Sequence, residues 1–107
     1  MTEAIQQFLT HLARERLFSP RTVEAYRADL LQFCDHLRGQ MGRPPSPSEV
    51  DRAAVRGFLG HLVRTGFKKR SIARKLTAVR SLFGYLTREK TVPNDPTAGI
   101  RSPRPER

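Results

Sequence analysis

The chain has a single cysteine, Cys34, and no tryptophan among its 107 residues. One thiol rules out an internal disulfide, and no Cys/His group has the spacing of a zinc site, so neither a crosslink nor a metal is expected to hold the fold. Long apolar runs are missing as well. Nothing approaches the roughly 18 consecutive apolar residues that span a bilayer, and the segment after Met1 lacks the apolar core of a signal peptide. The chain therefore reads as soluble and cytoplasmic, with no membrane partner. Also absent are a Gly-rich phosphate loop and a serine-histidine-carboxylate set, so no cofactor and no catalytic residue are expected. Acidic residues are the last deficit: 10 Asp and Glu face 20 Lys and Arg, leaving a formal charge of +10. That balance points to a polyanionic partner such as nucleic acid. What is present, 37% hydrophobic and 28% charged residues, suffices for one small packed domain and not for two.

Apolar residues recur at helical spacing in four places. Ile5, Phe8, Leu9 and Leu12 predict an amphipathic helix over about 2–16, with Thr2 as its cap. Ser19-Pro20 marks a sharper start. A serine oxygen accepts amide protons of the first turn, and proline at the first helical position loses no needed donor. The stripe Val23, Tyr26, Leu30, Phe33 and Leu37 then runs to Gly39, where the helix is expected to stop. Residues 39–48, with two glycines and three prolines, read as a loop. Asp51 is placed to cap a third helix bearing Val55, Phe58, Leu59, Leu62 and Val63 and ending by Gly66. The fourth and most regular helix spans about 69–89, with Ile72, Leu76, Val79, Phe83 and Leu86 on one side. Period-two alternation is absent, so the expected fold is all-α, four helices around one core. Cys34 needs no role beyond packing, Tyr26 belongs to a core stripe, and Tyr85 lies on the flank of the fourth helix. His11 and His61 each precede an arginine by three residues, which reads as coincidence.

The positive charge is local. Residues 1–66 hold 9 basic and 7 acidic side chains, whereas 67–107 hold 11 and 3. Helical geometry places Arg70, Arg74, Thr77, Ser81 and Arg88 within about 40° of the pole opposite the fourth helix's apolar stripe. A merely solvated face usually mixes both signs; this one has almost no acids. Guanidinium groups with interleaved hydroxyls suit phosphate contact and major-groove recognition, which favours double-stranded DNA. Single-strand binding normally requires exposed aromatic platforms, and here the rings fall mostly on core stripes. On the second helix, Arg21, Ala25, Ala28 and Gln32 lie opposite the stripe. Glu24 and Asp35 disfavour phosphate along its length, so only its first turn, with Arg21 and Thr22, is a phosphate site.

Taken together, the run from Leu17 to Leu30 (LFSPRTVEAYRADL), the run from Gly66 to Leu76 (GFKKRSIARKL) and Asn94-Asp95-Pro96-Thr97 resemble the N-terminal core-binding domain of tyrosine recombinases and phage integrases, Xer-type enzymes most closely. The likeness covers nearly the whole chain in order and spacing. It implies a four- to five-helix SAM-like orthogonal bundle over 1–98, forming half of a clamp around duplex DNA. Residues 99–107 would begin a linker to a separate catalytic domain. The resemblance implies Arg21, Thr22, Lys69, Arg70, Ser71 and Arg74 as DNA contacts, with Lys75 as a further candidate. Lys68 departs from the pattern by standing where a capping serine is common. The family's catalytic arginines, lysine, histidine and tyrosine have no counterpart here, so this piece is not expected to cut DNA, whereas its parent would. Other recombinase protomers are implied as partners of the parent, with residues 11–16 as a contact, and the isolated piece is expected to be a monomer. Two other classes fit the same charge pattern: a helical module docking an acidic protein, and a stand-alone DNA-binding accessory factor.

Overall fold

The computed structural model describes residues 1–102, and Pro103 and Pro105 of the tail lie outside that range. Four helices form where the apolar spacing places them: α1 (Thr2–Arg14), α2 (Pro20–Met41), α3 (Arg52–Arg64) and α4 (Lys69–Arg88). A single 3-10 turn, Pro47–Glu49, lies between α2 and α3. There is no strand among the described residues, so the fold is all-α as expected. No helix among them is long and apolar enough to cross a membrane.

The two longest helices form the centre. α2 packs on α4, and both α1 and α3 pack on that pair. Each contributes its stripe to one core, with Phe8, Phe33, Phe58 and Phe83 almost fully enclosed. Phe33 meets Phe58 edge-on at 5.1 Å and Phe83 at 6.4 Å between ring centroids, a geometry that sets ring edges against ring faces. Tyr26 and Tyr85 are half-buried and close the α1 side of this cluster, packing on Phe8 at 6.1 and 5.5 Å.

The helix starts follow the side chains that satisfy their free amides. Ser19 Oγ accepts the Thr22 N–H at 3.2 Å, and Asp51 Oδ1 accepts the Ala54 N–H at 2.8 Å. At α4 the N-cap is Lys68, which makes no side-chain cap bond. Three expectations are corrected. Thr2 is the first residue within α1 and does not cap it; Met1 precedes the helix without a capping side chain. α2 continues through Gly39 to Met41 and stops at Gly42, whose φ of 74° is the left-handed conformation that ends helices. Val63 is 56% exposed and lies outside the core, because it falls one step around the helix from buried Leu62. The Gly39–Ser48 loop is correspondingly shorter and more ordered than expected. Glu49 Oε1 accepts both the backbone N–H of Ser46 (2.9 Å) and its hydroxyl (3.0 Å), and Arg43 pairs with the same carboxylate. Past α4, Val92 and Ile100 return to the core, so packing continues beyond residue 98.

Candidate nucleic-acid interface

The N-terminal halves of α2 and α4 carry all seven residues singled out for DNA contact. Arg21 and Thr22 are exposed in the first turn of α2, beside the Ser19 cap that orients that turn. Ser19 and Thr22 hydroxyls are themselves 2.9 Å apart. Lys69 and Arg70 are exposed in the first turn of α4, and Ser71 is half-buried. Because α2 packs on α4, the two sets meet. A groove of about 280 Å³ is lined by Arg21, Thr22, Ala25, Tyr26 and Asp29 from α2 and by Arg74, Thr77 and Ala78 from α4. The packing thus brings Arg21 and Thr22 of α2 to the same groove as Arg74 of α4, although they lie 53 and 52 residues before it in sequence. Lys69, Arg70 and Ser71 stand at the α4 end of this surface without lining the groove.

Lys75 does not join the surface. Its side chain is turned into the α2–α4 contact, where Nζ donates to Asp29 Oδ1 at 2.9 Å and lies 5.2 Å from the centroid of the Phe67 ring. Arg74 donates to the same carboxylate through Nε (3.1 Å) and Nη2 (3.2 Å). Asp29 is the residue that sequence reasoning missed. The signal was there: Asp29 is three residues after Tyr26 and four before Phe33, and Lys75 is three after Ile72 and four before Val79. Both therefore sit at the spacing of their helix's apolar stripe, so each is carried towards the core. Opposite charges there lower the cost of burial by pairing.

The basic surface extends beyond this groove. A second, narrower groove of about 200 Å³ is lined by Arg16, Arg80 and Arg88 with Ser81, and walled by Phe8, Phe18 and Tyr26. Arg16 lies over the Phe18 ring at 5.4 Å, a cation–π contact that holds the guanidinium at the rim. Elsewhere several titratable groups have structural neighbours. His11 Nδ1 is 2.9 Å from Glu15, and its ring packs on Tyr85, whose hydroxyl is pushed up in pKa by burial and then by Glu89 and Glu15. His61 stacks on His36. Burial raises the Cys34 thiol to about 11, which leaves it protonated and unreactive at neutral pH.

Comparison with known proteins matches this architecture. The family model for the phage integrase N-terminal SAM-like domain covers residues 5–90. Over 104 residues the chain is 40% identical to tyrosine recombinase XerC of Chlorobaculum parvum, covering 94% of this chain and 31% of that protein. It is 40% identical over 107 residues to XerC of Roseiflexus castenholzii, covering 100% and 33%. With XerC of Pelotomaculum thermopropionicum it shares 35% over 106 residues, covering 96% and 35%. The chain thus spans about a third of the length of the curated relatives it matches. With the all-α core, the family match over most of its length and this level of identity, the chain belongs to the phage integrase N-terminal SAM-like domain family of the tyrosine recombinases.

Proposed function

We propose that this domain binds duplex DNA for a site-specific tyrosine recombinase and forms one half of a clamp around the recombination site. The α2/α4 face lies on the DNA. Arg21, Thr22, Lys69, Arg70, Ser71 and Arg74 make the contacts, and Lys75 supports them from beneath through Asp29. The observation that carries this reading is the groove that unites Arg21, Thr22 and Arg74, flanked by Arg70 on the most basic stretch of the chain. Arginine and hydroxyl side chains at two helix starts are suited to the sugar-phosphate backbone and to base edges. Breaking and rejoining DNA is proposed for the whole recombinase, through a tyrosine nucleophile outside this chain and a tetramer of protomers. The two tyrosines here pack against Phe8, which suits a structural role.

Titration of the chain with duplex DNA at low salt, followed by amide chemical shifts, tests the proposal. Shifts should concentrate at residues 19–25 and 68–78. An absence of shifts, or shifts on the α1/α3 side, would reject it. An acidic peptide that binds as tightly as the duplex would favour a protein-docking role instead.

A further inference from the structure

Asp29 is only 4% exposed, at the contact of α2 with α4, and its carboxylate receives three charge-assisted bonds. Lys75, 7% exposed, supplies one of them. One buried carboxylate and one buried ammonium make a pair of zero net charge, which is how such groups are tolerated inside a fold. Arg74 docks on this pair while its own side chain remains 61% exposed, so its positive charge is still available to a ligand. Among the described residues Arg21 and Arg70 have no carboxylate partner, so Arg74 is treated differently from the other arginines of the face.

The mode of docking matters more than the charge. A guanidinium has five N–H bonds in a rigid plane. Arg74 spends Nε–H and one Nη2–H side-on against Asp29, which leaves both Nη1–H bonds and the second Nη2–H. One Nη1–H and the remaining Nη2–H form the parallel end-on pair, the geometry that meets O6 and N7 of guanine. A phosphate contact gains little from such restraint and is weakened by a carboxylate behind it. Reading a planar base edge gains from it, because the fork is already oriented and its rotamer freedom already spent. Besides Arg21, Thr22, Tyr26 and Asp29, the groove beside Arg74 is lined by Ala25, Thr77 and Ala78, small side chains that leave room for a base edge on their side of it.

We propose that Asp29 is a positioning residue that locks Arg74 side-on, and that the end-on N–H pair of Arg74 reads one guanine in the major groove of the bound duplex. This rests on the duplex-binding reading of the α2/α4 face. It goes further by making Arg74 a determinant of sequence rather than one more phosphate contact.

The test is a selection of randomised duplexes with this chain at low salt. Affinities are then measured by fluorescence anisotropy on the preferred duplex and on duplexes with each G·C pair changed to A·T. The wild-type chain should discriminate at one G·C pair by roughly 5- to 100-fold. Arg74→Ala should bring that ratio close to one at this pair and leave other positions unchanged; Arg74→Lys, whose ammonium can still donate to guanine but has no planar fork for Asp29 to hold, should keep the salt dependence and lose part of the ratio. Asp29→Asn leaves Lys75 buried without its counter-charge, so the informative variant is Asp29→Asn with Lys75→Met, which replaces a neutral pair by neutral groups. With Arg74 intact, it should lose most of the discrimination while circular dichroism reports an intact fold. Equal weakening of every duplex by Arg74→Ala, full discrimination in the Asp29/Lys75 double variant, or no preferred G·C pair in the wild type would each overturn the assignment. Duplex binding that keeps its salt dependence in any of those cases would leave the DNA-binding reading standing, whereas absence of duplex binding would remove both.

Discussion

Phe33 touches two other buried phenylalanines, one on α3 and one on α4, and so ties three helices to a single point. Truncation to alanine would remove a large buried ring and leave a cavity. Phe33→Ala should therefore lower unfolding stability by about 3–5 kcal/mol, read from urea denaturation followed by circular dichroism. His36 supplies a pH dependence. Burial, then His61, then Arg64 hold its pKa below the ordinary 6.5. As pH falls through 6.5 the unfolded chain takes up a proton that the folded one still refuses, so stability declines below that pH until the folded ring also protonates. Stability should fall between pH 7 and pH 5, and His36→Gln should flatten that part of the profile. At this scale the four buried phenylalanines, Phe8, Phe33, Phe58 and Phe83, were legible, since each sits on a helical stripe. The Asp29–Lys75 pair was not, because its partners lie 46 residues apart and nothing in local spacing says which distant charge will face which.

The helices differ in how their ends are secured, and the differences can be measured. Ser19→Ala removes the oxygen that accepts the Thr22 amide and should cost about 0.5–2 kcal/mol, with loss of order at Arg21 and Thr22 seen as faster amide exchange. Gly39 and Gly42 make a matched pair. Gly39 lies inside α2 and a Cβ there meets nothing within 4 Å, whereas Gly42 has φ 74°. Gly39→Ala should stabilise the chain by up to about 1 kcal/mol, and Gly42→Ala should destabilise it by a similar amount or more. Opposite signs in thermal melts are the expected outcome. Between α2 and α3, the bonds from Arg43 and Ser46 hold the Glu49 carboxyl at about 2, below its usual 4.5. That exposed contact persists above pH 4.5 and is lost as pH falls towards 2. Starts were easier to read than stops. Serine and aspartate caps act through their own side chains, whereas two glycines three residues apart both signal an end, and the choice between them depends on where the chain must turn to bury Pro45 and Val50.

At the scale of the whole molecule, a formal charge of +10 makes binding to duplex DNA chiefly electrostatic. Half a clamp should bind weakly, with a Kd of roughly 10⁻⁴ to 10⁻⁶ M, and the logarithm of its association constant should fall linearly with log salt by about 0.9 per phosphate contacted. Replacing Arg21 and Arg70 together should reduce that slope by nearly 2, measured by anisotropy across a salt series. Composition and periodicity alone settled that this chain is helical, how many helices it has, which helical phenylalanines and most of which leucines are interior (fully buried Leu82 lies outside the predicted stripe), and that its second half is cationic. They suffice because burial of a stripe and repulsion between like charges depend on residues a few positions apart. The seating of α2 on α4 is of another kind. It sends Lys75 inward to Asp29, leaves Arg74 at the rim beside Arg21 and Thr22, and makes a groove from two surfaces that are separate in the chain. Side chains 45 residues apart acquire a mutual distance only when the core closes, and the direction in which a guanidinium points is set by that distance.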